Sequence, residues 1–212
     1  ELFTDKRNFR HFMLKEIYEQ PEIAQIWVDQ YLPSESSSRS SVVLPITKST
    51  LEKIDKIQIL ACGTSRHAAM VGAYLLEQFA GVPTNVYFAS EFRYSPPPVS
   101  PNTLTIGVSQ SGETADTLAA LRMEKERRDS MNDSNFSFHH LGITNRLDSS
   151  LAREFDNVID IGSGIEIGVA ATKTFLGQML SFYGLTILFA SHKQKRTTQE
   201  ILDLSNDLRL VP

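Results

Sequence analysis

Cysteine is nearly absent from this 212-residue chain: Cys62 is the single one. One thiol excludes an internal disulfide framework and fits a reducing compartment, so a cytoplasmic protein is expected. Blocks of Lys and Arg are also missing, and the formal net charge is -4, which argues against a nucleic-acid partner. The short basic cluster Lys193, Lys195 and Arg196 reads as a solvated helix end. No uninterrupted apolar run reaches the ~18 residues that a membrane span needs. The longest, residues 182–190, has the length of a core helix, and no membrane partner is expected. No secretory leader is visible. There is no G-x-x-x-x-G-K-[ST] loop, which removes a P-loop nucleotide site. Gly162, Gly164 and Gly168 nearly form the dinucleotide fingerprint. Their third glycine falls one residue late, and the run follows the fifth strand rather than the first. It reads as a loop that lets backbone approach a ligand, with no cofactor and no metal expected. The chain starts at Glu1 instead of Met, so the numbering is expected to begin inside a longer protein.

What is present is an alternation of apolar strands and amphipathic helices. Residues 9–20 read as one helix with an apolar stripe of Phe12, Met13 and Ile17, stopped at Pro21 because the residue before a proline is pushed out of the helical region. A second helical pattern covers residues 22–31. Residues 33–41 are serine-rich and polar, a mobile surface linker. A brief capped turn follows at residues 49–53. Strand patterns then fall at residues 56–61, 84–89, 103–108, 137–143 and 157–161. Between and after them lie helical patterns at residues 66–80, closed by Gly81, and at 113–127, 147–154, 169–191 and 198–210. Repeated strand–helix units imply a parallel sheet covered on both faces. With right-handed crossovers the expected fold is a three-layer, doubly wound α/β sandwich of five parallel strands in the order 2-1-3-4-5, with extra N- and C-terminal helices. In that order the winding reverses between strands 1 and 3, and ligands bind at that switch point.

The two turns at the switch point share a chemistry. After strand 1 come Cys62, Gly63, Thr64 and Ser65; after strand 3 come Ser109, Gln110, Ser111, Gly112, Glu113 and Thr114. Each carries hydroxyls and a glycine, opens a helix and lacks lysine. Free N–H groups and the positive dipole end of a helix favour an anion, and two such ends aimed at one spot favour it more. Ordinary serine caps explain either turn alone. Together they point to a phosphate held by neutral donors, which suits a phosphorylated sugar.

Other residues read as structural. Cys62 has no sequence neighbour to form a dyad and suits a pocket wall. His139 and His140 alternate across a strand, which fits packing better than metal binding. Glu113 is explained by a first helical turn. Lys173 suits either a phosphate partner or a helix-surface lysine. Glu91 can pair with Arg93 or a helix. Trp27 suits packing, and residues 124–135 suit the surface.

The segments 57–65, 89–94, 109–118 and 166–175, with the lead-in at residues 10–21, resemble the first sugar-isomerase (SIS) domain of the isomerising glutamine–fructose-6-phosphate aminotransferase family. The resemblance implies a domain arrangement: residues 1–32 a helical lead-in from a missing glutaminase domain, 33–48 a flexible linker, 49–212 the first SIS domain. It also implies an activity, moving ammonia from glutamine to fructose 6-phosphate and isomerising the product to glucosamine 6-phosphate for amino-sugar synthesis. Thr64, Ser65, Ser109, Gln110, Ser111 and Thr114 would bind the sugar phosphate, and Cys62, Gly63, Val169 and Ala170 would line the pocket. The glutaminase cysteine, the glutamate base, the ring-opening histidine and the sugar-binding lysines would lie outside this chain. The fragment is therefore expected to bind sugar phosphate and turn nothing over. Ala171 stands where some relatives have serine. A homodimer is expected, with the apolar helix from Val169 as interface. A non-enzymatic phosphosugar-sensing module of a regulator is the alternative. A complete one-domain isomerase would have to rely on His67.

Overall fold

A computed structural model describes residues 5–32 and 42–212; the serine-rich stretch expected as a linker at 33–41 lies outside the described residues. In chain order the elements are α1 (Phe12–Tyr18), α2 (Gln20–Tyr31), α3 (Lys48–Lys53), β1 (Lys56–Ala61), α4 (Gly63–Ala80), β2 (Thr84–Phe88), α5 (Ala89–Phe92), β3 (Thr103–Val108), α6 (Ala115–Asp129), β4 (His139–Thr144), α7 (Ser150–Glu154), β5 (Val158–Asp160), α8 (Lys173–His192) and α9 (Thr198–Arg209). The five strands are parallel and ordered β2-β1-β3-β4-β5, the expected order.

Side chains alternate across a strand, so each strand feeds two cores. On one face Ile57, Ile59, Leu104, Ile106, Leu141 and Ile143 pack against α4, α8, α2 and α9. On the other, Leu60 meets Leu118 and Leu121 of α6, Phe92 of α5 and Leu151 of α7. Two strand glycines set how closely that second layer sits. A Cβ on Gly107 would lie 2.4 Å from Leu121, and one on Gly142 would lie 2.3 Å from Leu151. Bare backbone there lets α6 and α7 press leucines onto the sheet.

α8 is the central helix of the first layer. It has the length and apolar composition of a membrane span, yet 67% of its apolar window is buried inside this fold. Burial within the chain therefore accounts for most of the apolar surface that was expected at an interface. Its closest partner is α4, where Gly72 leaves room for Phe182. Trp27 is fully buried, and its Nε1 donates to Ser181 Oγ at 3.2 Å, so it packs as expected.

The N-terminal segment departs from its reading. The residues expected as one helix divide into α1 and α2, and Pro21 sits in the first turn of α2, where its missing N–H costs nothing. The expected apolar stripe faces out: Met13 and Ile17 are about two-fifths exposed, while Lys15 and Glu16 are buried. The buried face is charged because its partners are polar. Glu19 takes Lys173 Nζ at 2.9 Å and Lys15 Nζ at 3.5 Å, and Lys15 also donates to the Asp5 carbonyl at 2.9 Å. Lys173 is thus a buried ion-pair partner and not a surface lysine. Val42 and Leu44, at the end of the expected linker, are buried in the first core.

Residues 124–135 are only partly on the surface. Glu124 and Arg128 are buried and paired at 2.8 Å, and Gln58 Nε2 donates to Glu124 at 2.7 Å. Arg127 and Arg128 then donate to the carbonyls of Pro97 and Ser100, tying the proline-rich loop to α6. Arg93 pairs with Asp116 rather than with Glu91.

The α4–α8 contact predicts an overpacking penalty. Gly72→Val should lower the melting temperature by about 2–12 °C in calorimetry. Phe182→Leu on that background should cost less than the two single losses added together. The Glu19 cluster predicts an acid limb. Burial pushes the Glu19 carboxyl up, but Lys173 and Lys15 together outweigh it and hold it below its ordinary 4.5. A lowered folded-state value means the stabilisation is complete above 4.5 and is lost as pH falls through that lower value. Glu19→Gln should be less stable at pH 7, because two lysines lose their counter-charge. Its melting temperature should also fall less steeply than the parent's below pH 4.5.

Candidate phosphate-binding site

Ala61, the last residue of β1, pairs with Val108, the last of β3. The turns that follow therefore leave the sheet side by side, from strand ends roughly 4.8 Å apart. One leads into α4 beneath the first layer and the other into α6 in the second, so two helix starts converge on one crevice. Neither start is capped by its own side chain: Cys62 before α4 and Thr114 before α6 make no capping bond. The amides of those first turns remain free to face a ligand.

Gly63 opens α4 with φ +53°, a conformation that favours glycine, and no atom lies within 4 Å of where its Cβ would be. Gly112 has φ +65° and is also crowded, since a Cβ would sit 2.1 Å from Ser149 Oγ. The β3 turn is buttressed there by α7. Leu151 N–H donates to the Gly112 carbonyl at 3.1 Å, and Ser150 N–H donates to Glu113 Oε1 at 2.7 Å. Glu113 was expected in the first turn of α6; instead it precedes that helix and caps α7. Bonding to Ser150 lowers its carboxyl below its ordinary value, in keeping with an anchor on α7.

The hydroxyls of the two turns are ordered by N–H donors. Gly112 N–H donates to Ser109 Oγ at 3.0 Å, Glu113 N–H to Ser111 Oγ at 3.2 Å, and Gln178 Nε2 to Ser65 Oγ at 2.9 Å. A hydroxyl that accepts on one lone pair keeps its single proton for another partner. Ser109 Oγ and Thr114 Oγ1 stand 2.7 Å apart, so one proton of that pair is shared and the other is left to give. Arg66 lays its guanidinium 3.8 Å over the Phe88 ring, which holds its charge on the β2 side of β1. The set is one of neutral donors converging at helix starts, suited to an anion.

The expected residues divide into two groups. Thr64, Ser65, Ser109, Gln110, Ser111 and Thr114 lie on the paired turns with Cys62 and Gly63. Val169 and Ala170 stand exposed on the 162–172 loop, not in α8 as expected, because the helix begins at Lys173. That loop is strapped from two sides. Buried Glu16 of α1 accepts from the N–H groups of Ile167 at 2.6 Å and Gly168 at 3.1 Å. Glu166 accepts from Thr172 N–H at 2.9 Å and from the Thr174 hydroxyl, closing the start of α8. Asn145 joins loop to turn: its N–H donates to the Gln110 carbonyl, while its side chain bonds Ser163 and Gly164. Glu16, Asn145 and Gln178 were not anticipated. Gln178 had a signal, a lone amide within the apolar residues 175–180, since a buried amide needs a partner.

His140 stacks on Phe138 with Phe155 tilted against it, and burial lowers its imidazole, in keeping with packing. Among the described residues no three His, Cys, Asp or Glu side chains gather as a metal site.

The SIS domain model matches residues 50–188. The chain belongs to the SIS domain family. It is 50% identical over 214 residues to the glutamine–fructose-6-phosphate aminotransferase [isomerizing] of Thermosynechococcus vestitus, covering 100% of this chain and 34% of that protein. The enzyme of the same name from Synechocystis sp. is also 50% identical, covering 99% of this chain and 34% of that one. This SIS chain thus spans about a third of the length of the curated relatives it matches. Among solved structures it resembles the C-terminal domain of glucosamine-fructose-6-phosphate aminotransferase from Francisella tularensis, with TM-score 0.86 and 37% identity, over 97% of this chain and 55% of that one.

The ordered turn predicts a cost for removing its internal acceptor. Ser109→Ala leaves the Gly112 N–H only its longer 3.3 Å bond to the Ser109 carbonyl and should destabilise the fold by about 0.5–1.5 kcal/mol. Hydrogen exchange at Gly112 should quicken in the variant, while exchange at β1 amides changes only with global stability.

Proposed function

We propose that this chain is the first SIS domain of an isomerising glutamine–fructose-6-phosphate aminotransferase and that its two turns grip the phosphate of fructose 6-phosphate. The carrying observation is the set of hydroxyls on adjacent strand ends: Ser65, Ser109 and Ser111 each accept from an N–H donor, and the Ser109–Thr114 pair shares one proton and keeps one to give. Thr64, Ser65, Ser109, Gln110, Ser111 and Thr114 are the phosphate donors of this reading. Cys62, Gly63, Val169 and Ala170 line the sugar side. Whole-length identity to aminotransferases supports this over a regulator's sensing module, for which no separate observation speaks.

Phosphate binding at the turns would present the sugar carbons outward, above the ends of the strands. In the whole protein, ammonia released from glutamine would condense with the carbonyl of the open-chain sugar, water leaving to form an imine, and a base would then move a proton between the neighbouring carbons to give glucosamine 6-phosphate. The two turns supply no group for that step. Glu113 is committed to α7, and His67 points from the exposed side of α4. The role of this domain is to fix one end of the substrate, with the acid–base groups, the glutaminase domain and a second copy as partners from outside the chain.

Titrating the chain with fructose 6-phosphate, and separately with glucose 6-phosphate, should shift the amides of residues 63–65 and 109–114 and leave those of α9 in place. Ser111→Ala should weaken binding about 10- to 100-fold, the usual effect of losing a hydrogen bond to a charged group. Saturable shifts confined to other surfaces would defeat the assignment. Turnover of fructose 6-phosphate by the chain alone would defeat the division of labour.

A further inference from the structure

We propose that Gln178 is a positioning residue: its side-chain amide, seated on α8, turns the Ser65 hydroxyl proton toward the anion bound at the two turns. This rests on the reading of the turns as a phosphate site. Gln178 is 1% exposed and sits among Leu176, Met179 and Leu180 in an apolar stretch of α8. An amide buried there costs stability unless it is hydrogen-bonded. Its Nε2 lies 2.9 Å from Ser65 Oγ, 113 residues away in sequence.

The polarity of that bond is the point. An amide nitrogen only donates, so Ser65 Oγ must accept in it. A serine hydroxyl has one proton, and with its lone pair engaged from below, that proton is left for a partner on the open side. Ser109 and Ser111 obtain the same bias from backbone N–H groups inside their own turn. Ser65 stands in the first turn of α4 and obtains it from another helix. The β1 half of the cradle therefore depends on where α8 is held, and α8 is held by Lys173–Glu19 and by Glu166 at its first turn.

The test uses inorganic phosphate and fructose 6-phosphate with the chain, Gln178→Met, Gln178→Glu, Ser65→Ala and the double variant Gln178→Met/Ser65→Ala. Gln178→Met keeps volume without a donor and should weaken both ligands about 5- to 20-fold. Gln178→Glu draws the Ser65 proton inward and should weaken them further. The double variant should bind as Ser65→Ala does, because the amide acts only through that hydroxyl. Additive losses in the double variant, or Gln178→Glu binding as well as the parent, would overturn the role; the latter would mean that Ser65 donates to the amide oxygen. If the Gln178 variants fold poorly, the side-chain amide resonances of Gln178 decide the matter. They should shift with phosphate in the parent and stay fixed in Ser65→Ala, and equal shifts in both would overturn the proposal. Absence of phosphate binding by the parent removes the site itself, an outcome distinct from a parent that binds and variants that match it.

Discussion

The parallel pairing of β1 with β3 is the constraint on which the remainder of the molecule depends. β1 and β2 are neighbours, as are β3 and β4, so the two crossovers run in opposite directions from a shared central seam. Right-handed connections then place α4 and α6 on opposite faces with their starts on the same end of the sheet. Slide β3 by one position and the Ala61–Val108 pairing fails, the apolar faces invert, and the turns no longer meet. Core packing and the anion cradle are thus two results of one register. Stabilising residues such as Ile59 and Ile106 secure the site without standing in it.

Around that seam polar side chains, buried in the case of Glu16, Glu124 and Arg128, hold the loops. Glu16, Glu166 and Asn145 fix the 162–172 loop by its backbone, and Glu124 with Arg128 and Arg127 fixes the proline-rich loop. Buried charges are weak evidence for stability, because desolvation offsets much of their attraction. Their value here is geometric. Glu16 and Glu124 each satisfy several donors and join elements far apart in sequence, while Glu166 ties its own loop to the start of α8. Through Glu16 and Glu19 the N-terminal helices are bonded to the loop before α8 and to α8 itself.

Strand positions and order were legible in the sequence because β1 and β3 are short apolar runs bounded by turn residues, and the alternation with helices leaves few topologies. The two turns were legible for the same reason: hydroxyls and glycine at strand ends have few other uses. The N-terminal helix was misread because the stripe rule assumes that helices bury apolar faces, whereas α1 buries Lys15 and Glu16 against polar backbone and an ion pair. The start of α8 was placed at Val169 because residues 169–172 are helix-tolerant in composition; Glu166 caps later, and nothing local marks that. Glu124 was placed on the surface because a single charged residue in a charged stretch carries no sign of burial. Arg128 is its i+4 neighbour on α6, but Gln58 comes from β1, and only the folded geometry brings that strand amide to the pair.

The absence of lysine from the two turns has a consequence for binding. Lys173 is paired with Glu19 inside the fold, and the Arg66 guanidinium lies over Phe88. What remains for a phosphate is a set of hydroxyls and helix-start amides. Neutral donors hold an anion by direction more than by net charge, so their grip falls less with salt than that of a lysine cluster and discriminates by shape. A substrate site has to release product as well as bind reactant, and a strongly cationic pocket would retain any phosphate. Orienting protons with buried amides, as Gln178 does for Ser65, raises the contribution of each neutral donor without adding charge. A site built this way can be selective and still exchange its ligand.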